Sequence, residues 1–139
     1  MTGLDREDIA ALANALYAIT RSVVQFWDRY SLAEHRLESD ELRRLAATAE
    51  QSAAGVAATV KQLRQFDRRL QLAALNDQLA AAEEQAGRLA SQALQPLYRG
   101  GADALQAVIL QDLCGRLEQI VGDCSRAAQV AAAIALKGI

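Results

Sequence analysis

The stretch "YRGGADAL", residues 98 to 105, carries the only pair of adjacent glycines in the chain. Glycine tolerates the left-handed conformation that ends a helix, and Asp103 is placed to cap a new one. The segments on either side therefore read as two separate helices joined by a tight turn.

Downstream, Leu105, Ile109, Leu113, Leu117, Ile120, Cys124, Ala127, Ala131 and Ile134 recur at helical spacing nearly to the C-terminus. They fall within about one third of the circumference at roughly 100° per residue. Glu118 and Gly122 lie off the centre of that stripe, on a second face. Upstream, Leu72, Leu75, Leu79, Ala82, Ala86, Leu89, Ala93 and Leu97 alternate three and four. Asp67 is the candidate cap of this third helix, and "RQFDRRL", residues 64 to 70, is the turn before it.

The second helix begins near Ser39 or Asp40, with Leu42, Leu45, Ala49, Ala53, Val56, Val60 and Leu63 as its stripe. The first has Asp5 as cap, acids in its first turn and Leu4 set to pack on Ile9. Its expected core stripe is Ile9, Leu12, Leu16, Ile19, Val23 and Trp27, ending about Tyr30. The polar run "SLAEHRLESDE" separates these two helices.

Thirty alanines and twenty leucines make up over a third of the 139 residues, against one proline and six aromatics. That composition favours helices packed closely through small side chains. The expected fold is all-α, an antiparallel bundle of four main helices in a single domain over residues 1–139.

Seventeen acids outweigh thirteen arginines and two lysines. The chain thus lacks the electrostatic footprint of a nucleic-acid binder. No uninterrupted apolar run reaches the roughly 18 residues of a membrane span, and the start lacks a secretory signal, so the expected location is cytoplasmic.

Candidate chemistry is sparse. Cys114 and Cys124 are separated by about 15 Å along one helix at 1.5 Å per residue, too far for a mutual disulfide or shared metal. His35 is the only histidine and stands in a charged linker without a second histidine or a reactive cysteine nearby in sequence. Arg64, Arg68 and Arg69 have the guanidinium forks that suit a phosphate, but a solvated helix end explains them as well. Glu83, Glu84 and Glu118 are the acids placed to meet across a bundle, yet a di-metal carboxylate site calls for Glu-x-x-His pairs or further carboxylates.

Two long stretches resemble a known family. "LDREDIAALANALYAITRSVVQFWDRY" is similar to the helix opening with an Arg-Glu-Asp-Ile cap in the PhoU-like family of bacterial phosphate-transport regulators. The run from "LNDQLAAAEEQAGRLASQALQPLY" through "RGGADALQAVILQDLCGRLEQIVGDCSRAAQVAAAIALKGI" resembles that family's last two helices. The resemblance covers essentially the whole chain. It implies a spectrin-like three-helix repeat plus one extra helix, with the family's first two helices missing.

The family's Glu-x-x-x-Asp or Asp-x-x-x-Asp metal motifs map onto Tyr17 and Arg21, Glu83 and Gly87, and Glu118 and Gly122. None of the three retains its aspartate, and spacing four places both members of such a pair on one helix face. Losing one member of a pair removes half the ligands that helix could present. Only Glu83 and Glu118 keep a carboxylate, Arg21 opposes a cation, and no metal or other cofactor is expected.

The missing helices leave two ways to complete the core: closure of the four helices on themselves, or pairing with a copy, making a homodimer. The resemblance implies a non-enzymatic regulator or accessory protein of phosphate transport, docking on a membrane transporter or sensor protein. Composition alone implies a helical scaffold or oligomerisation module unrelated to phosphate. A metal-dependent enzyme ranks below both, since no constellation supplies nucleophile, base or open metal site.

Overall fold

The computed structural model describes residues 6–33, 39–61, 68–101 and 103–137. Four helices follow in order: α1 (Arg6–Ala33), α2 (Asp40–Lys61), α3 (Arg68–Tyr98) and α4 (Ala104–Lys137). Among the described residues there is no strand. The expected caps at Leu4 and Asp5 and at Asp67 lie outside these residues, as do His35 and Arg64, and the side chains of Arg68 and Arg69 are likewise not described.

The punctuation acts as its chemistry dictates. Ser39 accepts the Leu42 backbone N–H on its Oγ at 3.0 Å, and Asp103 accepts that of Leu105 at 3.3 Å. Each satisfies a donor that the first turn of a helix leaves unpaired. Gly100 and Gly101 adopt φ of 93° and 90°, where a Cβ would be strained, and the chain reverses there. Pro96 stands inside α3 close to its end, and the helix continues through it to Tyr98.

Ser22 hydrogen-bonds Asp123 and Arg29 approaches Asp112 to 3.8 Å, so α1 runs antiparallel to α4. The bundle is up-down-up-down, but its closure is uneven. Helices α2, α3 and α4 each pack against the other two, whereas α1 packs extensively on α4 alone. The result is a closed three-helix bundle with one further helix laid along the outside of α4.

Helix α4 consequently buries a wide arc. Leu113, Leu117, Ile120, Cys124, Ala127 and Ala131 were expected inside and are; Leu110, Cys114, Val121 and Ala128 join them. Leu105, placed in the core stripe by its spacing, is exposed in the first turn of α4. Helices α2 and α3 bury most of their stripes as expected, with Ala53, Val60, Ala82 and Leu97 only part-buried against the core.

The stripe of α1 requires correction. Of its expected core residues, Ile9, Val23 and Trp27 are exposed; Ile19 is buried, joined by Ala15, Ser22, Ala33 and Asp8. Small residues face α4 because they let the backbones approach closely. Ile9, Val23 and Trp27 are left outside, while Ile19 and the part-buried Leu16 and Phe26 pack against the core. The most apolar 18-residue window of α1 averages a mean hydropathy of 1.2, and only 11% of it is buried. By length and composition alone this helix also meets the minimum for a membrane span, which an unbroken apolar run does not reveal.

Candidate functional site

A groove of about 680 Å³ runs between α1 and α4. On α4, Asp112, Arg116, Gln119, Asp123 and Arg126 recur at alternating four and three and therefore share one helix face. On α1, Ala18, Ser22 and Gln25 do the same. Both sets line the groove, with Arg21 and Gly115. A Cβ added at Gly115 would meet nothing within 4 Å, so that position leaves the groove open.

The centre is Asp123, only 4% exposed. A buried carboxylate is costly unless its lone pairs are taken up. Here Ser22 Oγ donates to Oδ2, while Gln119 Nε2 donates to Oδ1 at 2.9 Å and Arg126 at 3.0 Å. Asp112 is engaged similarly, accepting from Arg116 Nε at 3.1 Å. Both carboxylates thus serve as anchors rather than as free bases.

Arg21 differs from the other two arginines. It makes no ion pair among the described residues and sits 5.8 Å from the centre of the Tyr17 ring, a cation–π arrangement. Tyr17 and Arg21, the first pair of positions singled out by the sequence resemblance, are therefore joined by an aromatic contact. The Arg21 guanidinium remains available to a carboxylate or phosphate from outside.

The other motif positions do not converge. Glu83 and Glu84 are exposed on α3, where Glu84 lies 3.9 Å from Arg88, and Gly87 is half-buried. Glu118 is exposed on α4, with its carboxyl held above its usual range by partial desolvation. Among the described residues no group of three or more His, Cys, Asp or Glu side chains gathers. Cys114 and Cys124 are free and buried, and burial pushes their thiols up to about 11 and about 12, with the nearby charges of Glu118 and Asp123 adding to the effect. At neutral pH neither supplies a thiolate nucleophile.

Gly87 and Gly122 are the helix-interior glycines that the resemblance sets where an aspartate would stand. A Cβ at either would meet nothing within 4 Å, so packing within this chain does not require them. Gly87→Ala and Gly122→Ala are each expected to stabilise the fold by about 1 kcal/mol, the helix propensity difference. Urea unfolding of the two variants measures this. A loss of stability would mean that the added methyl meets something outside the monomer.

The Ser22–Asp123 link is the element that residue spacing did not single out. A signal was present for Asp123, which stands within the small and apolar run Val121-Gly122-Asp123-Cys124, but not for Ser22, which follows Thr20 and Arg21. The fold and groove define an all-α helical protein with an arginine-bearing polar groove between its outer helix and its central one. Comparison of the chain with protein-family models, with curated proteins and with solved structures returns no match.

Proposed function

We propose that this protein is a non-enzymatic regulator or accessory protein of phosphate transport, PhoU-like in kind, acting through protein–protein contacts. The groove between α1 and α4 carries this reading. Its two carboxylates are committed to internal partners, while Arg21 offers an unpaired guanidinium at the rim. Such a fork suits an acidic side chain of a partner, since guanidinium and carboxylate geometries match bidentately. The partner in this reading is a membrane phosphate transporter or a sensor protein, met from the cytoplasmic side. The phosphate connection itself comes from the sequence resemblance.

Phosphate uptake tests the proposal in the natural host. Deleting the gene is expected to alter the uptake rate or its response to phosphate starvation. Wild type restores the normal response, and Arg21→Glu, a surface reversal that leaves the fold intact, does not. Identical uptake with and without the gene, in both replete and starved cells, sinks the phosphate reading.

A second reading, a scaffold or oligomerisation module unrelated to phosphate, is favoured by a different observation. The outer face of α1 exposes Tyr17, Val24 and Trp27 together. Normal uptake in the deletion strain would leave this reading standing.

A further inference from the structure

The face of α1 turned away from α4 has a regular order of its own. Ala10, Ala13, Tyr17, Thr20, Val24 and Trp27 follow one another at three, four, three, four and three, the spacing of a coiled-coil seam. All six are exposed, Tyr17 by 64% and Trp27 by 62%, and none is charged. At 100° per residue the seam lies about 140° round the helix from the side that packs on α4. A helix approaching it meets no obstruction from α4.

The seam is complementary to itself in one direction only. Run antiparallel against a copy, Ala10 faces Trp27, Ala13 faces Val24 and Tyr17 faces Thr20, so every layer sets a large side chain against a small one. Run parallel, Trp27 meets Trp27 and Tyr17 meets Tyr17, while Ala10 and Ala13 meet themselves and leave gaps. Charge agrees with shape. Arg6 and Asp28 make no ion pair among the described residues, and the antiparallel register brings Arg6 of each copy beside Asp28 of the other. The parallel register stacks like on like. Glu7 lies about 100° further round than Arg6, away from the seam.

Area points the same way. The seam spans about 30 Å at 1.5 Å per residue, and it is flanked by the exposed Ile9 and Val23. Its two aromatics alone leave roughly 250 Å² uncovered, given about 150–250 Å² for each such side chain. With the aliphatic residues beside them the face is on the order of the 800 Å² per partner of a stable interface.

From these observations we infer that α1 is the dimerisation element of this protein and that its occupant is α1 of a second copy, antiparallel, about a twofold axis near Ala18 and Ile19. The assembly places α4, α1, and the copy's α1 and α4 in one row, and Ala10 to Trp27 become buried. This pairing covers the side of α1 opposite α4 and borders the arginine-bearing groove at Arg21, whose guanidinium stacks on the seam residue Tyr17; it does not depend on phosphate.

Trp27 is the only tryptophan, which makes it the reporter. Sedimentation is expected to give a dimer, and dilution through the dissociation constant is expected to shift Trp27 emission to the red as the seam is exposed. Ala13→Glu places a carboxylate in the centre of the seam at a site exposed in the monomer, and is expected to weaken association roughly a hundredfold or more while leaving the helical circular dichroism unchanged. Mixing Ala13→Cys with Val24→Cys under oxidation is expected to yield the 13-to-24 disulfide between chains, the two native thiols being buried. A wild-type monomer at all concentrations overturns the inference, as does a dimer that Ala13→Glu leaves intact. So does a cross-link confined to 13-to-13, which is the parallel register, or wild-type protein that binds anionic vesicles as a monomer through this face.

Discussion

Leu117→Ala is expected to remove about 3 kcal/mol from the unfolding free energy, within the roughly 2–5 kcal/mol range of buried leucine truncations. Leu117 is only 2% exposed and sits midway along α4, the one helix that packs against the other three. The loss combines the transfer of the removed carbons with the cavity left behind. Much of this core is alanine, including Ala86, Ala90, Ala127 and Ala128, and such short side chains have no spare length with which to fill a hole. The low end of the range is therefore not expected. A domain of this kind has about 5–15 kcal/mol in all, so one substitution takes a large share. Urea unfolding measures the change as a lowered midpoint at constant slope. Leu105→Ala, at an exposed position on the same helix, is the control and should stay within about 0.5 kcal/mol. Equal effects at the two positions would mean that α4 is not packed as described.

Asp123→Ala is expected to cost about 1–3 kcal/mol, and to do so unevenly across the molecule. Removing the carboxylate strands the buried Ser22 hydroxyl, while Arg126 is freed into solvent and Gln119 loses a partner. Most of the cost falls on the Ser22 hydroxyl, the most buried of the three donors. Ser22 belongs to α1, and α1 has one extensive neighbour, so the damage falls on the contact that holds the outer helix in place. Local opening follows local contact density. Hydrogen exchange is accordingly expected to quicken along α1 before it changes in α2 and α3. A double-mutant cycle with Ser22→Ala should show a coupling of about 1 kcal/mol, as for two residues in direct contact. Uniform acceleration across all four helices, or no coupling, would refute the view of α1 as a separately anchored element.

The helices themselves were legible because their signals are short. Gly100 and Gly101 with Asp103, and Ser39 before Asp40, mark ends through chemistry contained within three or four residues. The stripes of α2 and α3 were equally readable, since Leu42, Leu45, Leu72, Leu75, Leu79 and Leu89 each stand in a helix whose apolar arc is single.

Helix α1 is harder, for it carries two such arcs side by side. Spacing weighs Ile9, Val23 and Trp27 as strongly as Ile19, and large side chains draw the eye to the first three. Close approach to α4 selects the other arc, in which Ala15 and Ser22 are small. The groove was half legible. Arg21 stood out as a departure from the motif of the similar family, whereas Ser22 beside it gained its meaning only from Asp123, 101 residues away.

The amino-acid sequence by itself determined four helices, the ends at Ser39 and at Gly100 to Asp103, and the all-α class, because hydrogen-bonding periodicity and capping act between near neighbours. Helix α1 runs on to Ala33, past the end expected near Tyr30. Only the tertiary structure decided which arc of α1 is covered, that α1 lies outside a closed three-helix bundle, and that Asp123 anchors it there. Those outcomes depend on how closely two backbones approach, and that distance is a property of the pair of helices rather than of either one.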